Sequence, residues 1–181
     1  MAYCSNALAG IKTTCDGSLG GIKTVYLTPF SDDIFKLDAN ATGDTGTVTG
    51  ISSGVSFYRY DFKNETSTFT STLNRTNGGG VYVESDINLV FSRMDAKKRL
   101  EMNALALSDL AGVVVDNNDK WFAVGTWLPL NANAGTGETG TAFADANQYT
   151  CTLHGADKDF PPLLTDAAIT AVKNATVEDN S

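Results

Sequence analysis

Any chemistry in this chain has to run through very few residues. His154 is the one histidine, and with Cys151 it forms a C-x-x-H motif near the end of a predicted strand. A zinc site needs three or four ligands, and the other cysteines, Cys4 and Cys15, lie far away in the sequence. Nucleophilic catalysis by Cys or Ser needs an oriented base. His154 would have to be that base in either case, and nothing marks a nucleophile elbow. Gly135-Thr-Gly-Glu-Thr-Gly140 matches G-x-G-x-x-G. The dinucleotide fingerprint follows a strand and opens a helix. Here Pro129 and a polar stretch come before it, no helical pattern follows, and Glu138 would repel a pyrophosphate. This segment, Asn131 to Thr141, reads as a surface loop. Carboxylates such as Asp32, Asp33, Glu84, Asp86, Asp116 and Asp119 are plentiful, and surface solvation is their commonest role. No catalytic constellation, metal site or cofactor is expected.

A second group is cationic. Arg93, Lys97, Lys98 and Arg99 stand at the start of a predicted helix. The macrodipole disfavours positive charge there, by about 0.3–1 kcal/mol each. They form either a solvated helix face or one side of an inter-subunit contact with an acidic neighbour. Of the aromatic group Trp121, Phe122 and Trp127, at least one tryptophan is expected in the core behind a hairpin.

The elements that must position these residues are mostly strands. Val81 to Ser92 carries the clearest pattern. Val83, Ile87, Leu89 and Phe91 fall on one face with Ser85 as the gap, while Tyr82, Glu84, Asp86 and Asn88 fall on the other. This is the two-residue period of a half-buried strand. The Thr-rich stretch Ser67 to Asn74 precedes it across Thr76-Asn77-Gly78-Gly79-Gly80, which predicts a long hairpin. Ile22–Phe30, Thr47–Ile51, Val55–Phe62, Val113–Val115, Trp121–Val124 and Gln148–Leu153 also read as strands, and Asn40 to Gly46 as a loop. Met94 to Leu110 switches to helical spacing, with Asp95 as N-cap and Gly112 as terminator. This gives one main helix, about 95–111, on a stripe of Leu100, Ala104, Leu107 and Ala111. Asp166 to Asn174 reads as a short capped helix.

Composition agrees with a β-rich chain. Charged residues are 19% of 181, below the usual ~25%, and Gly, Thr, Ser, Asn and Asp replace them. One domain over 1–181 is expected, with an N-terminal arm of about 1–21 and a C-terminal extension of about 163–181. The net charge of -8 disfavours sequence-independent nucleic-acid binding, although a surface of that sign lets DNA pass without sticking. The N-terminus has no basic segment followed by an apolar run, so no signal peptide is expected. No stretch approaches 18 apolar residues, so no membrane helix is expected either.

A long hairpin with one polar face, then a helix, a second hairpin and closing strands is an order similar to that of tail tube proteins of long-tailed bacteriophages. The runs Met1-Ala2-Tyr3-Cys4-Ser5-Asn6-Ala7-Leu8-Ala9-Gly10-Ile11, Gly20-Gly21-Ile22-Lys23-Thr24-Val25-Tyr26 and Phe91-Ser92-Arg93-Met94-Asp95-Ala96-Lys97-Lys98-Arg99-Leu100 also resemble virion structural proteins of phages infecting gut bacteria. The resemblance implies a β-sandwich or barrel-like subunit flanked by a helix, a homo-oligomer in stacked hexameric rings, and a place in the virion tail. It implies the tape-measure protein and other tail proteins as partners, and DNA passing without specific binding. Carried onto this chain, Glu84, Asp86 and Asn88 become candidates for the channel surface. The arm and the loop around Gly135 become candidates for ring-to-ring contact. Other expectations are a different virion β-protein (tail terminator, neck or capsid decoration) and, from another class, a ligand-binding β-sandwich module.

Overall fold

The computed structural model describes residues 11–12, 17–40 and 43–177, so Cys4, Cys15 and most of the expected arm lie outside the described residues. Within them run twelve strands and two helices. The strands are β1 (Ile22–Pro29), β2 (Phe35–Asn40), β3 (Gly43–Ile51), β4 (Phe57–Asp61), β5 (Thr68–Arg75), β6 (Val81–Ser92), β7 (Leu110–Asp116), β8 (Trp121–Val124), β9 (Asn131–Glu138), β10 (Gln148–Asp157), β11 (Leu163–Leu164) and β12 (Thr176–Val177). The helices are α1 (Ala96–Leu107) and α2 (Asp166–Asn174). The protein is mainly β, a curled half-barrel packed as a sandwich against a smaller sheet.

The larger sheet has eight strands in the order β12-β4-β1-β7-β8-β11-β3-β2. Its centre is buried on both faces, because β1 and β7 are apolar in consecutive positions rather than in alternate ones. One face holds Tyr26, Val113, Val115, Trp121 and Ala123 against Phe57, Val48 and α2. The other holds Val25, Leu27, Val114 and Val124 against the smaller sheet and α1. Tyr26 and Trp121 stack with centroids 5.2 Å apart. The C-terminal segment is part of this layer: Ala168 and Val172 of α2 are fully buried, and β12 pairs with β4.

The smaller sheet is antiparallel, in the order β5-β6-β10-β9. Here the two-residue period decides burial. Val83, Ser85, Ile87 and Leu89 are buried and Asp86 is exposed. Ser85 is tolerated inside because its hydroxyl lies 3.1 Å from that of Ser71 across the hairpin. The turn closes through Thr76 N–H to Gly80 O at 2.8 Å and Gly79 N–H to Thr76 O at 3.0 Å.

Three expectations need correction. The helix is shorter than 95–111. Asp95 caps it as expected, accepting from Lys98 N–H at 2.8 Å, but Ser108 already has extended backbone. Leu110 and Ala111 therefore belong to β7, and of the expected stripe Leu100, Ala104 and Leu107 are exposed, while Leu105, outside that stripe, is buried. Gly112 does not terminate a helix. It sits within β7, where a Cβ would fall 2.4 Å from the carbonyl oxygen of Tyr26 in β1. The loop expected over Asn131–Thr141 is largely β9, hydrogen-bonded along β10. Likewise, of the loop expected at Asn40–Gly46, Asn40 ends β2 and Gly43 to Gly46 open β3.

Candidate functional site

The strongest surface feature is the outward face of the smaller sheet. Directly opposed residues of antiparallel strands share a face, so the register gives its rows. Thr72, Glu84 and Ala156 form one row; Thr70, Asp86, His154 and Asn131 the next; Thr68, Asn88, Thr152 and Ala134 another. Thr136 and Thr150 lie beside Val90, and Glu138 and Gln148 lie beside Ser92. Among the described residues, the face carries three carboxylates and no lysine or arginine. Its polar groups are tied sideways into a lattice. Asn74 Nδ2 donates to Glu84 Oε2 at 2.7 Å, and Gln148 Nε2 donates to Glu138 Oε1 at 2.8 Å. The Thr136 and Thr150 hydroxyls lie 2.6 Å apart, and His154 Nδ1 lies 2.7 Å from Asp86 Oδ1.

Glu84, Asp86 and Asn88 thus stand together on one polar surface. Two contributors to that surface were not read from sequence. His154 lies directly across from Asp86 because β10 runs on to Asp157, four residues past the expected end. β9 adds its own polar residues, and it has no apolar alternation that could have announced it.

The C-x-x-H motif does not bring its two side chains together. A spacing of three on a strand sends two side chains to opposite faces. Cys151 is buried in the core, where desolvation pushes its thiol pKa up, while His154 faces outward. Among the described residues no group of three or more His, Cys, Asp or Glu is arranged to hold a metal. In the G-x-G-x-x-G stretch, Gly137 serves packing. A Cβ at Gly137 would meet the Tyr149 ring at 2.8 Å and the Met94 methyl at 3.2 Å.

The cationic cluster gathers where β6 enters α1. Arg93 adopts left-handed backbone, φ 64°, and its amide bonds Asn147 O at 2.7 Å. The Lys98 ammonium is committed internally: it donates to Ser92 O at 2.8 Å and Arg93 O at 3.1 Å and pairs with Asp95 at 2.9 Å. Arg93, Lys97 and Arg99 are exposed beside it. Backbone and side-chain donation from Lys98 holds the Asp95 carboxyl below the ordinary carboxylate range, which offsets part of the cost of cations at this end of the helix.

Two further features complete the surface. A cleft of about 220 Å³ between α1 and strands β1 and β4 is lined by Tyr58, Tyr60, Glu101 and Leu105 among others. Tyr60 Oη donates to Glu101 Oε2 at 2.9 Å, and burial, then that bond, pushes the phenol pKa well up. The volume is below the ~300–1,000 Å³ of ordinary small-molecule sites. Of the aromatic group, Trp121 is in the core and Trp127 is half exposed, with Lys158 Nζ 3.9 Å above its ring. The loop bearing Trp127 hangs on the buried Asp157 carboxylate, which accepts from the amides of Thr126 (3.4 Å), Trp127 (2.9 Å) and Leu128 (3.4 Å). No family model, curated protein or solved structure matches this chain.

Proposed function

We propose that this chain is a structural subunit of a bacteriophage tail tube. Copies close into hexameric rings, the rings stack, and the outward face of the smaller sheet lines the channel. DNA and the tape-measure protein pass along that face without being held. The observation that carries the reading is the combination found in one sheet: an apolar face built into the core, a polar face bearing only acidic charges and, among the described residues, two long edges without a partner strand, β5 and β9.

Each part has a physical reason. Exposed edges of eight residues are templates for further pairing, and β5 carries neither proline nor lysine to blunt it. Closing identical sheets around an axis removes every such edge. The strand directions permit closure: β5, β6, β10 and β9 alternate, so β5 of one copy meets β9 of the next antiparallel. A channel surface with Glu84, Asp86 and Glu138 and no lysine or arginine repels phosphate, and releases no counterions to favour binding. The role is structural rather than enzymatic.

Negative-stain microscopy of the purified chain tests this. Hollow tubes or stacked rings are the expected result. A protein that stays monomeric at high concentration, with its hairpin fully protected from hydrogen exchange, would overturn it. Single rings that never stack would favour a different virion β-protein, such as a tail terminator.

A further inference from the structure

We propose a specific seam between copies: β9 of one subunit takes β5 of the next with Thr68 opposite Glu138, Thr70 opposite Thr136 and Thr72 opposite Ala134. The proposal rests on the ring reading above and goes beyond it by fixing the register.

The faces set the first constraint. Thr68, Thr70 and Thr72 share the polar face with Ala134, Thr136 and Glu138, so only registers that keep these residues opposed leave the core residues covered. Backbone parity agrees. The amide of Val90 points toward β5, onto Ser67 Oγ at 3.0 Å, and that of Arg93 points toward Asn147 beside β10. Among the described residues, alternation along antiparallel strands then leaves the outward-pointing, unbonded amides at Phe69 and Ser71 on β5, and at Gly135 and Gly137 on β9. In this register those are the residues that face each other. Gly137 has no room for a side chain there, because a Cβ would meet the Tyr149 ring at 2.8 Å, while a Cβ at Gly135 would be in ordinary contact with Met102 at 3.5 Å.

The stagger supplies the second constraint. Glu138 lies in the row of Ser92 and Thr68 in the row of Asn88, four residues apart along β6. Joining them shears the sheet by four residues for every four strands. A shear equal to the number of strands corresponds to a tilt of about 36°, within the ~35–45° that closed barrels adopt. A level join, Thr68 against Ala134, would give no shear.

The sense of the stagger also agrees. Seen from the apolar face with the hairpin turn uppermost, β6 runs downward. The directions of the Val90 and Arg93 amides then place β5 on the right and β9 on the left for L-residues. Right-handed strand twist makes barrel strands climb to the right as seen from outside. A row followed leftward from β9 into the next copy therefore climbs. It must meet a residue nearer the hairpin turn than its own row, and Thr68 is such a residue. With the polar face outside, the same stagger would have the wrong sense. Leu73 is 55% exposed on the apolar side of β5, and the seam places it beside the next copy's α1, which packs along β9.

Cysteine pairs read the register directly. Thr70 and Thr136 would form a non-hydrogen-bonded pair, the closer of the two antiparallel spacings, within reach of a disulfide after small adjustment. In a Cys4→Ser, Cys15→Ser background, Thr70→Cys with Thr136→Cys should give a ladder of disulfide-linked oligomers on mild oxidation. Thr72→Cys with Thr136→Cys, two residues out of register, should give at least ~10-fold less. A second measurement needs no variant: on assembly of the wild-type chain, amide exchange should slow by on the order of 100-fold at Phe69, Ser71, Gly135 and Gly137. Tubes that form without the ladder and without that protection would overturn the seam and leave the tube reading intact. A ladder and protection in rings that never stack would keep the seam and count against the tube. Equal ladders from both pairs would overturn the register.

Discussion

The two sheets solve the same problem in opposite ways. The eight-stranded sheet is buried on both faces at its centre and ends in a two-residue strand, β12, on one edge. The four-stranded sheet is buried on one face and wet on the other, and both of its edges are eight-residue strands. Doubly buried strands make a stable body with little surface to offer. A half-buried sheet with long open edges contributes less core per residue and presents a template instead. The contrast teaches that the stable part of the molecule and its interacting part are separate layers joined through one core.

Substitutions can break that contrast or sharpen it. The largest effect is expected in the shared core: Ile87→Ala should cost about 2–5 kcal/mol, since Ile87 is fully buried between the sheets. Denaturant unfolding measures it, and a cost near zero would mean that the sheets are not packed as one body. Asp157→Ala should follow, at about 1–3 kcal/mol, because three amides lose their acceptor. Its clearest readout is faster exchange at Trp127 and Leu128.

Tyr60→Phe reads the α1 side of the core by pH. The folded phenol pKa is raised above its ordinary value of 10.0. The stabilisation tied to it is therefore intact below about pH 10 and declines as pH rises toward the higher folded value. The wild type should lose stability with rising pH in that window, and the variant should lose less. An identical slope in both would show that Tyr60 does not titrate with unfolding.

The smallest effect on folding is expected on the polar face. Glu84→Lys with Asp86→Lys should change stability by no more than about 0.5 kcal/mol per site. It should nevertheless create salt-sensitive DNA binding that the wild type lacks. Filter binding across a salt series measures it; DNA binding by the wild type would contradict a non-stick channel.

Much of the smaller sheet was legible. Alternation over Val81–Ser92 reports its own burial, and Thr76–Gly80 has turn chemistry. Asp95 and Thr165 cap helices as residues of their type do. Legibility failed where periodicity carries no signal. β9, Asn-Ala-Asn-Ala-Gly-Thr-Gly-Glu, has no large apolar residue. It is a strand because β10 offers it a hydrogen-bonding edge and because α1 and Tyr149 fill the space above its glycines. The helical period runs on past the end of α1, because Leu110 and Ala111 fit it equally well. The pairing of β7 with β1, and the Gly112–Tyr26 approach that pairing demands, decided otherwise.

The sequence by itself determined that the chain is β-rich, that His154 is its one histidine, and that Glu84, Asp86 and Asn88 share a face. Each of these follows from residue type and a period of two. Only the tertiary structure decided that His154 stands against Asp86, that β9 completes the polar face, and that among the described residues β5 and β9 form the edges of that sheet. Those facts depend on which strands become neighbours. Neighbours are chosen by packing between segments distant in sequence, and local periodicity does not record that choice.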